Sequence, residues 1–419
     1  MSEWVEHSFE DVADYDVGRT PSRANPAFWV NGSESVPWVT ISDMEPFGTV
    51  TSTKEAVSAP AMMKVFAARI VPAGTLLMSF KLTIGRVATL GTPTVHNEAI
   101  ISIYPRLGMD QRFLGYYLSQ VDYTQSQDRQ IKGNTLNKAK IDKISVLAPQ
   151  ESEQRNIADA LDLVRGAAQA HASALDATEA LKRAVMYELF TRGLRGADPQ
   201  ASEVGPEDWV TERLGEHHSV ASGGTPSRAV PEYWVGGTIH WVKTTEVNYN
   251  VISETSERVT QTGLDSSAAK VVPAGTVLLA MYGQGVTRGR VAVLGIDAAT
   301  NQACAAIRST GQVLNPRYLY HFLANQYEEL RNLAHGGQQQ NLNLDIIRDF
   351  PVSYPVHADE QQAIVDILDA LDAKIDLHRR KRALYEELFQ ALLHGLMTRG
   401  IDVDNLDLSA LPAREEASA

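Results

Sequence analysis

Polar and basic side chains occur in this chain in sets that appear twice. Thr20, Ser22 and Arg23 are matched by Thr225, Ser227 and Arg228. Thr40 and Ser42, with Asp43, are matched by Lys243 and Thr245, with Glu246. Lys81 and Arg86 answer to Gln284, Arg288 and Arg290, and Lys132, Asn134 and Asn137 to Gln338, Gln339, Gln340 and Asn341. Arginine, lysine, asparagine and glutamine can read base edges through paired hydrogen bonds, and serine and threonine suit phosphate oxygens. The chemistry on offer is therefore recognition of nucleic acid. A plainer reading stands beside it, in which the TPSR and NLN segments only make turns and helix caps.

The segments that could carry catalysis each depart from the motif they resemble. Asn315-Pro316-Arg317-Tyr318 resembles the base-holding Asn-Pro-Pro-Tyr loop of amino-methyltransferases but lacks its second proline. No glycine-rich strand-to-helix turn for a nucleotide cofactor lies upstream of it. A helix start, with Asn315 as cap and Pro316 in the first turn, accounts for the segment. The glycine-rich run Gly283–Arg290 lacks the Gly-Lys-Ser/Thr ending of a phosphate loop. Asp372-Ala373-Lys374 reads as a solvated charge pair within a helix. His217 and His218 read as a surface pair with no carboxylate at ligand spacing. The sequence thus predicts a binder with no catalytic residues and no metal site of its own.

The elements that must hold these residues are repeated too. VPAGT at 71–75 recurs at 272–276, GRVATLG at 85–91 answers GRVAVLG at 289–295, and GRTPSRANPAFW at 18–29 answers GGTPSRAVPEYW at 223–234. The offset between copies wanders from 201 to 206 through these parts and then locks at 207 from Glu153–Arg192 to Glu360–Arg399. Loops absorb length changes and a long helix in register does not, so each half is read as a globular part followed by a rigid helix. In the second copy Ile364, Leu368, Leu371, Ile375, His378, Arg382, Tyr385, Phe389, Leu392 and Leu396 follow the four-three steps of a coiled-coil seam. The first copy gives Ile157, Leu161, Val164, Ala168, His171, Leu175, Thr178, Lys182, Val185 and Leu189, weakened at Thr178 and Lys182. His171 and His378 read as polar register-setters. The simplest reading pairs the two helices with each other, as a spacer of roughly 60 Å at about 1.5 Å per residue.

The globular parts read as mixed α/β with a β bias. VPAGT is a turn feeding an apolar strand, and Arg86–Leu90 is another short strand. Helices are expected over Pro105–Val121 and Pro316–Leu333, and Gly193 and Gly400 are expected to cap the long helices. The boundaries follow: a globular domain over 1–149, a long helix over 150–193, a linker over 194–206, a second globular domain over 207–355, a second long helix over 356–400, and an acidic flexible tail over 401–419.

Composition bounds the rest. The chain has 419 residues, 44% of them apolar, enough for two or more cores. One cysteine, Cys304, rules out an internal disulfide and suits a reducing cytosol. An acidic N-terminus without an apolar core, and no apolar run of the roughly 20 residues a membrane span needs, predict a cytoplasmic protein. The net charge of -13 argues against nucleic acid as a partner. Its distribution softens that, because residues 1–150 carry 14 basic against 15 acidic side chains and residues 207–355 carry 11 against 14.

Taken together, the opening SGGTPSR…YW.GG.I.WV (222–242), the VPAGT strands, LNPRYLYHFL (314–323), the QQQNLN turn and the P….EQ..I…L helix entry (355–368), each with a first-half counterpart, resemble the specificity subunit of type I restriction-modification systems. The resemblance covers residues 1–400. It implies an α+β fold of two tandem-repeated target-recognition domains separated by two long helices packed as an antiparallel, pseudo-twofold coiled coil. It further implies a non-catalytic subunit that reads a bipartite, asymmetric site on double-stranded DNA. Two methyltransferase subunits and the restriction and translocase subunits would be its partners, carrying S-adenosylmethionine, ATP and Mg²⁺ between them. Two alternatives from other classes stand beside it. One is a DNA-targeting subunit of a related methylation or phage-defence system. The other is a protein-interaction scaffold that binds no DNA.

Overall fold

The repeated VPAGT segments build equivalent turns. Gly74 and Gly275 adopt φ of +83° and +84°, and a Cβ at either would meet nothing, so the backbone angle alone asks for glycine. Each glycine amide donates back across the turn, to the carbonyl of Leu90 or Leu294. The strands that follow, Leu76–Ser79 and Val277–Ala280, are buried along their whole length. Alternation divides them between two cores. Leu76 and Met78 pack with Phe9, Leu114 and Leu118, while Leu77 packs with Val39, Met44 and Ile100. Val277 and Leu279 are likewise separated from Leu278 and Ala280. A strand covered on both faces reads as one unbroken apolar run.

The computed structural model describes residues 3–29, 35–124, 128–130, 133–194, 208–283, 286–311, 313–333 and 341–408, with backbone alone for 128–130 and 133–135. The chain forms two units, Met1–Ala172 with Arg380–Ala419, and Ser173–Arg379.

In the first unit a five-stranded sheet runs in the order Ala13–Val17, Ile100–Pro105, Leu76–Ser79, Val87–Leu90, Thr49–Val50. Its last pairing is parallel and the others are antiparallel. A three-stranded sheet runs Glu55–Val57, Val36–Val39, Val95–His96. Val5–Ser8 pairs with Ser145–Ala148, just ahead of the first long helix.

The second unit repeats these three sheets, whereas the strand pair Asp128–Gln130 and Gly133–Thr135 of the first unit has no counterpart among its described residues. Its five-stranded sheet is His218–Ser222, Cys304–Ser309, Val277–Ala280, Val291–Leu294, Val251–Ile252. Its three-stranded sheet is Glu257–Val259, Ile239–Val242, Ala299–Thr300, and Trp209–Arg213 pairs with Pro351–Pro355. The mixed helix and sheet content read from the sequence is what forms.

The long helices span Glu151–Arg192 and Ala358–Met397. Within the first unit Ile157, Leu161 and Val164 share a core with Phe389, Leu392 and Leu396, and further along His171 stacks on Tyr385 at 5.5 Å. Within the second unit Met186 and Leu189 share a core with Ile364 and Leu368. Lys182 there meets Asp372 at 2.5 Å, and Glu179 meets Arg379 at 3.3 Å. In each unit the start of one helix therefore lies against the end of the other, with opposite chain sense. Leu161 and Leu368 are fully buried, and truncating either to alanine should cost about 2–5 kcal/mol. The weak seam positions find polar solutions: Thr178 donates to the Ala174 carbonyl, and Lys182 takes Asp372.

Several local expectations need correction. The stretch expected as one helix from Pro105 is a strand through Pro105, a turn at Gly108 with φ +89°, and a helix over Gln111–Gln120 capped by Asp110. The stretch after Pro316 divides into Pro316–Asn325 and Tyr327–Leu333. Gly193 ends the first long helix at φ +69°, its amide donating to the Leu189 carbonyl. At the second it is Arg399, not Gly400, that turns left-handed, at φ +61°. Asp372 pairs with Lys182 across the helices and not with Lys374 beside it. His217 has a carboxylate partner after all, Glu212 at 2.6 Å. No helix among the described residues is long and apolar enough to cross a membrane.

Candidate nucleic-acid interface

The TPSR segments form the same cluster in both units. The Arg23 guanidinium lies 3.8 Å from the centre of the Trp29 ring and donates to both oxygens of Glu55, at 2.5 and 2.8 Å. Trp29 donates its indole N–H to the Ser22 carbonyl, and Trp38 to that of Arg19. In the second unit Arg228 lies 3.7 Å from Trp234 and donates to Glu257 at 2.6 Å. Trp234 donates to the Ser227 carbonyl and Trp241 to that of Gly224. Cation–π stacking and a carboxylate fork hold each arginine in one pose, and about half of its side chain still faces solvent. The Glu55 carboxyl is held below its usual range by the Arg23 hydrogen bond.

The second set lies beside this cluster. Thr40 donates to Asp43 at 2.7 Å and touches Ser42 at 2.9 Å, while Lys54 reaches Ser42 at 3.3 Å. Lys243 meets Glu257 at 3.3 Å, so it joins Arg228 on one carboxylate, and Thr245 is exposed nearby. Burial alone would raise the Glu257 carboxyl, but Arg228 and Lys243 bring it below its usual range. Thr20 is half-buried, and Thr225 donates to Gln302 at 2.5 Å.

The remaining candidates lie on other loops. Arg86 donates to the Ile41 and Met44 carbonyls, and Arg290 to the Asn248 side chain at 2.6 Å, so both brace the neighbouring loop. Arg288 is half-buried, and the Lys81 ammonium lies 5.3 Å from the Phe80 ring. Asn137 caps the helix Lys138–Asp142, the plainer of its two readings. Its structural counterpart is Asn343, which caps Leu344–Arg348, whereas Asn341 is exposed just before it. Asn134 sits in the strand Gly133–Thr135. Lys132, Gln284, Gln338, Gln339 and Gln340 lie outside the described residues.

The structure thus gathers Arg23, Thr40 and Ser42 at one end of the small sheet, and Arg228, Lys243 and Thr245 at the matching place. Arg86 braces the loop that carries Thr40 and Ser42 through the Ile41 carbonyl between them, Arg290 braces Asn248 in the second unit, and Lys81 lies beside Phe80. Sequence reasoning missed Lys54, Glu55, Glu257 and Asn248, which hold or extend these groups. The recurrence of glutamate in KEAV (54–57) and SERV (256–259) was the available signal.

Also missed was how each domain is fixed to its long helix. Gln154 accepts from the Asp110 amide and donates to the Gly108 and Pro149 carbonyls; Gln361 accepts from the Asn315 amide and donates to those of Val313 and Pro355. Two turns on, buried Asp162 accepts from Tyr116 at 2.5 Å, Arg112 at 3.0 Å and Arg165 at 3.1 Å. Asp369 accepts from His321 at 2.7 Å and from Arg317. Burial would raise the Asp369 carboxyl, but these donors bring it down to about 2. Burial pushes the His321 imidazole below its ordinary value, with Asp369 opposing.

His321, Asp369 and Asp372 present ligand atoms within 4.8 Å of one another, the geometry of a metal site. Arg317 and Lys182 already pair with those two carboxylates, so a divalent cation would leave excess positive charge. The charge-balanced network is the better account.

The sequence matches the family model described as "Type I restriction modification DNA specificity domain" over residues 1–171 and 206–386. A Methanocaldococcus jannaschii protein, the type I restriction enzyme MjaIX specificity subunit, is 27% identical over 188 residues, 44% of this chain and 42% of the relative. The Escherichia coli EcoR124I/EcoR124II specificity subunit is 24% identical over 198 residues, covering 44% and 48%. The alignments with these two curated relatives span less than half of their length. A second M. jannaschii protein, the MjaVIII specificity subunit, is 23% identical over 310 residues, covering 71% and 72%. Among solved structures, the S subunit of a type I restriction-modification system from M. genitalium superposes with a TM-score of 0.62 at 12% identity, covering 94% of this chain and 95% of that one. A chain from a study of assembly and conformational transition in the type I R-M system gives 0.56 at 18% identity, covering 94% and 97%. At these identities the likeness is one of fold.

Proposed function

This chain belongs to the type I restriction-modification DNA specificity family, and on that premise we propose that it is the non-catalytic subunit that reads a bipartite, asymmetric site on double-stranded DNA. Each domain reads one half-site, and the long helices set the distance between them. The observation that carries this reading is the conserved frame with changed loops. The two units repeat these sheets and the TPSR cluster and are fixed to their helices by equivalent glutamine and aspartate clamps, yet exposed polar residues beside that cluster differ, Thr40 and Ser42 against Lys243 and Thr245. That is what two readers of different sequences on one scaffold require.

The Arg23 and Arg228 clusters, with Thr40, Ser42, Lys54 and Lys243, are the contacts we assign to DNA first, because they are polar, partly exposed and held in one pose. Two methyltransferase subunits act at the sites so marked, flipping an adenine out of the duplex in each half, and restriction subunits join them. S-adenosylmethionine, ATP and Mg²⁺ belong to those partners. The net charge of -13 then implies that much of the grip on DNA comes from the partners, and that the isolated chain binds weakly.

The test is methylome sequencing in a methylation-free host carrying this chain with its methyltransferase subunit, repeated with Glu207–Pro355 exchanged for the equivalent domain of a relative. The expected result is a bipartite methylated-adenine motif in which only one half changes. An assembled complex that leaves no motif in either case would overturn the proposal.

A further inference from the structure

The two domains are fixed to their helices in different ways. In the first unit the Phe47 ring wedges between Tyr116 and Phe389, with centroids at 5.2 and 5.4 Å, and Arg165 donates to the Phe47 carbonyl. That contact is made at Tyr116, six residues along the domain's helix from the Gln154 anchor at Asp110, so the domain is held at two places. Only about 50 Å³ of open space lies among Phe47, Arg112, Tyr116, Asp162 and Arg165.

The second unit has Tyr249 at the corresponding place, with the same left-handed backbone, at φ +55° against +59° for Phe47. Tyr249 turns to Tyr327 at 6.0 Å instead of to the helices. A cleft of about 1420 Å³ separates the loop bearing it from Lys182, Met186, Asp372 and Ile375. The second domain is fixed to the helices through the Gln361 anchor, the Asp369 network and Phe190, whose ring packs edge-on against Tyr318 and Phe322 at 5.5 and 5.6 Å, but not through the Tyr249 loop.

We propose that Asp369 is the positioning residue that fixes the second domain's angle to the long helix, and so sets how strictly the distance between half-sites is enforced. The proposal rests on the bipartite reading above. Asp369 holds both Arg317 and His321, which lie one turn apart on the domain's own helix, and two donors on one carboxylate resist rotation where one would not. Asp162 does the same in the first unit but shares the task with Phe47.

The experiment uses the assembled methyltransferase complex on a DNA library carrying both half-sites at every spacing around the preferred one. Asp369→Asn should raise methylation at spacings one base pair too short or too long by about tenfold relative to the preferred spacing, with the half-site bases unchanged. Asp162→Asn should raise it by less than about threefold. Arg317→Lys, which keeps the charge but loses the fork, gives the same reading if Asp369→Asn does not fold. Leu279→Ala, a core change in the same unit, should lower stability and leave the spacing profile alone. A parent complex with one preferred spacing that Asp369→Asn and Arg317→Lys both retain would overturn the proposal by itself. Equal broadening by Leu279→Ala would also overturn it, as general softening. A parent with no spacing preference would overturn the bipartite reading and this proposal with it.

Discussion

At the first domain's junction with the long helices, aromatic rings fill the space: Phe47, Tyr116 and Phe389 pack edge to face and tilted. At the second, the positions of Tyr116, Arg165 and Phe389 are taken by His321, Asp372 and Lys182, and a direct Lys182–Asp372 ion pair borders an open cleft. The same frame thus carries a junction closed by aromatic rings and one left open beside an ion pair. Apolar contact is non-directional and fills volume, whereas an ion-pair network holds only the geometry its hydrogen bonds specify. The comparison teaches that the repeat preserved the anchoring residues Gln154 and Gln361, Arg112 and Arg317, and Asp162 and Asp369, while the contents of the junction were free to diverge.

The sharpest way to break this comparison is to remove the paired carboxylates. Asp162→Ala removes the buried carboxylate that holds the Tyr116 hydroxyl, Arg112 and Arg165; Arg112 keeps Asp159 and both arginines are about a third exposed, so the loss should be about 2–3 kcal/mol. Asp369→Ala, whose carboxylate is 38% exposed, should cost about 1–1.5 kcal/mol after allowance for solvent screening. Hydrogen exchange followed separately over the two units measures both, and equal losses would erase the distinction.

The wedge comes next. Phe47→Ala should destabilise the first unit by about 2 kcal/mol, and Tyr249→Ala the second by less than about 1 kcal/mol, because the tyrosine lies 37% exposed beside a cleft. Urea denaturation of each variant decides it.

A third change sharpens the contrast by making the second junction apolar. Lys182→Met with Asp372→Leu replaces a largely buried ion pair by apolar groups, and should be neutral or stabilising by up to about 1 kcal/mol. A loss of stability would show that the pair contributes more than its desolvation costs.

The smallest expected effect is one of pH. The His321 imidazole is depressed by burial, so its unfolded form takes up a proton first as pH falls. Its contribution is complete above about 6.5 and is lost as pH drops toward the folded value, whereas that of Asp369, depressed to about 2, is lost only in strong acid. His321→Tyr, which installs the first unit's residue, should flatten the stability profile of the second unit below about pH 6.5 and leave that of the first unit as it was. An unchanged profile in the second unit would remove His321 from the account.

Much of the architecture was legible in the chain itself. The constant offset of 207 between Glu153–Arg192 and Glu360–Arg399 and the four-three seam marked two long helices, because helix length and periodicity are local properties. VPAGT marked a turn and a buried strand for the same reason. The binding set was legible by residue type, but not by state. Nothing near Arg23 in sequence announces Glu55, 32 residues on, nothing near Asp369 announces Arg317, and nothing near Asp372 announces Lys182.

By itself, then, the sequence determined the duplication, the two helices, the strand-and-turn frame and the kinds of side chain placed on the loops. Each follows from spacing within a few residues. Only the tertiary structure decided which arginines are stacked and paired, which carboxylates anchor a domain to its helix, and which of two equivalent junctions is filled. Those depend on pairs of residues tens to hundreds of positions apart, whose meeting is set by packing and by the pairing of buried charge, and no local pattern encodes it.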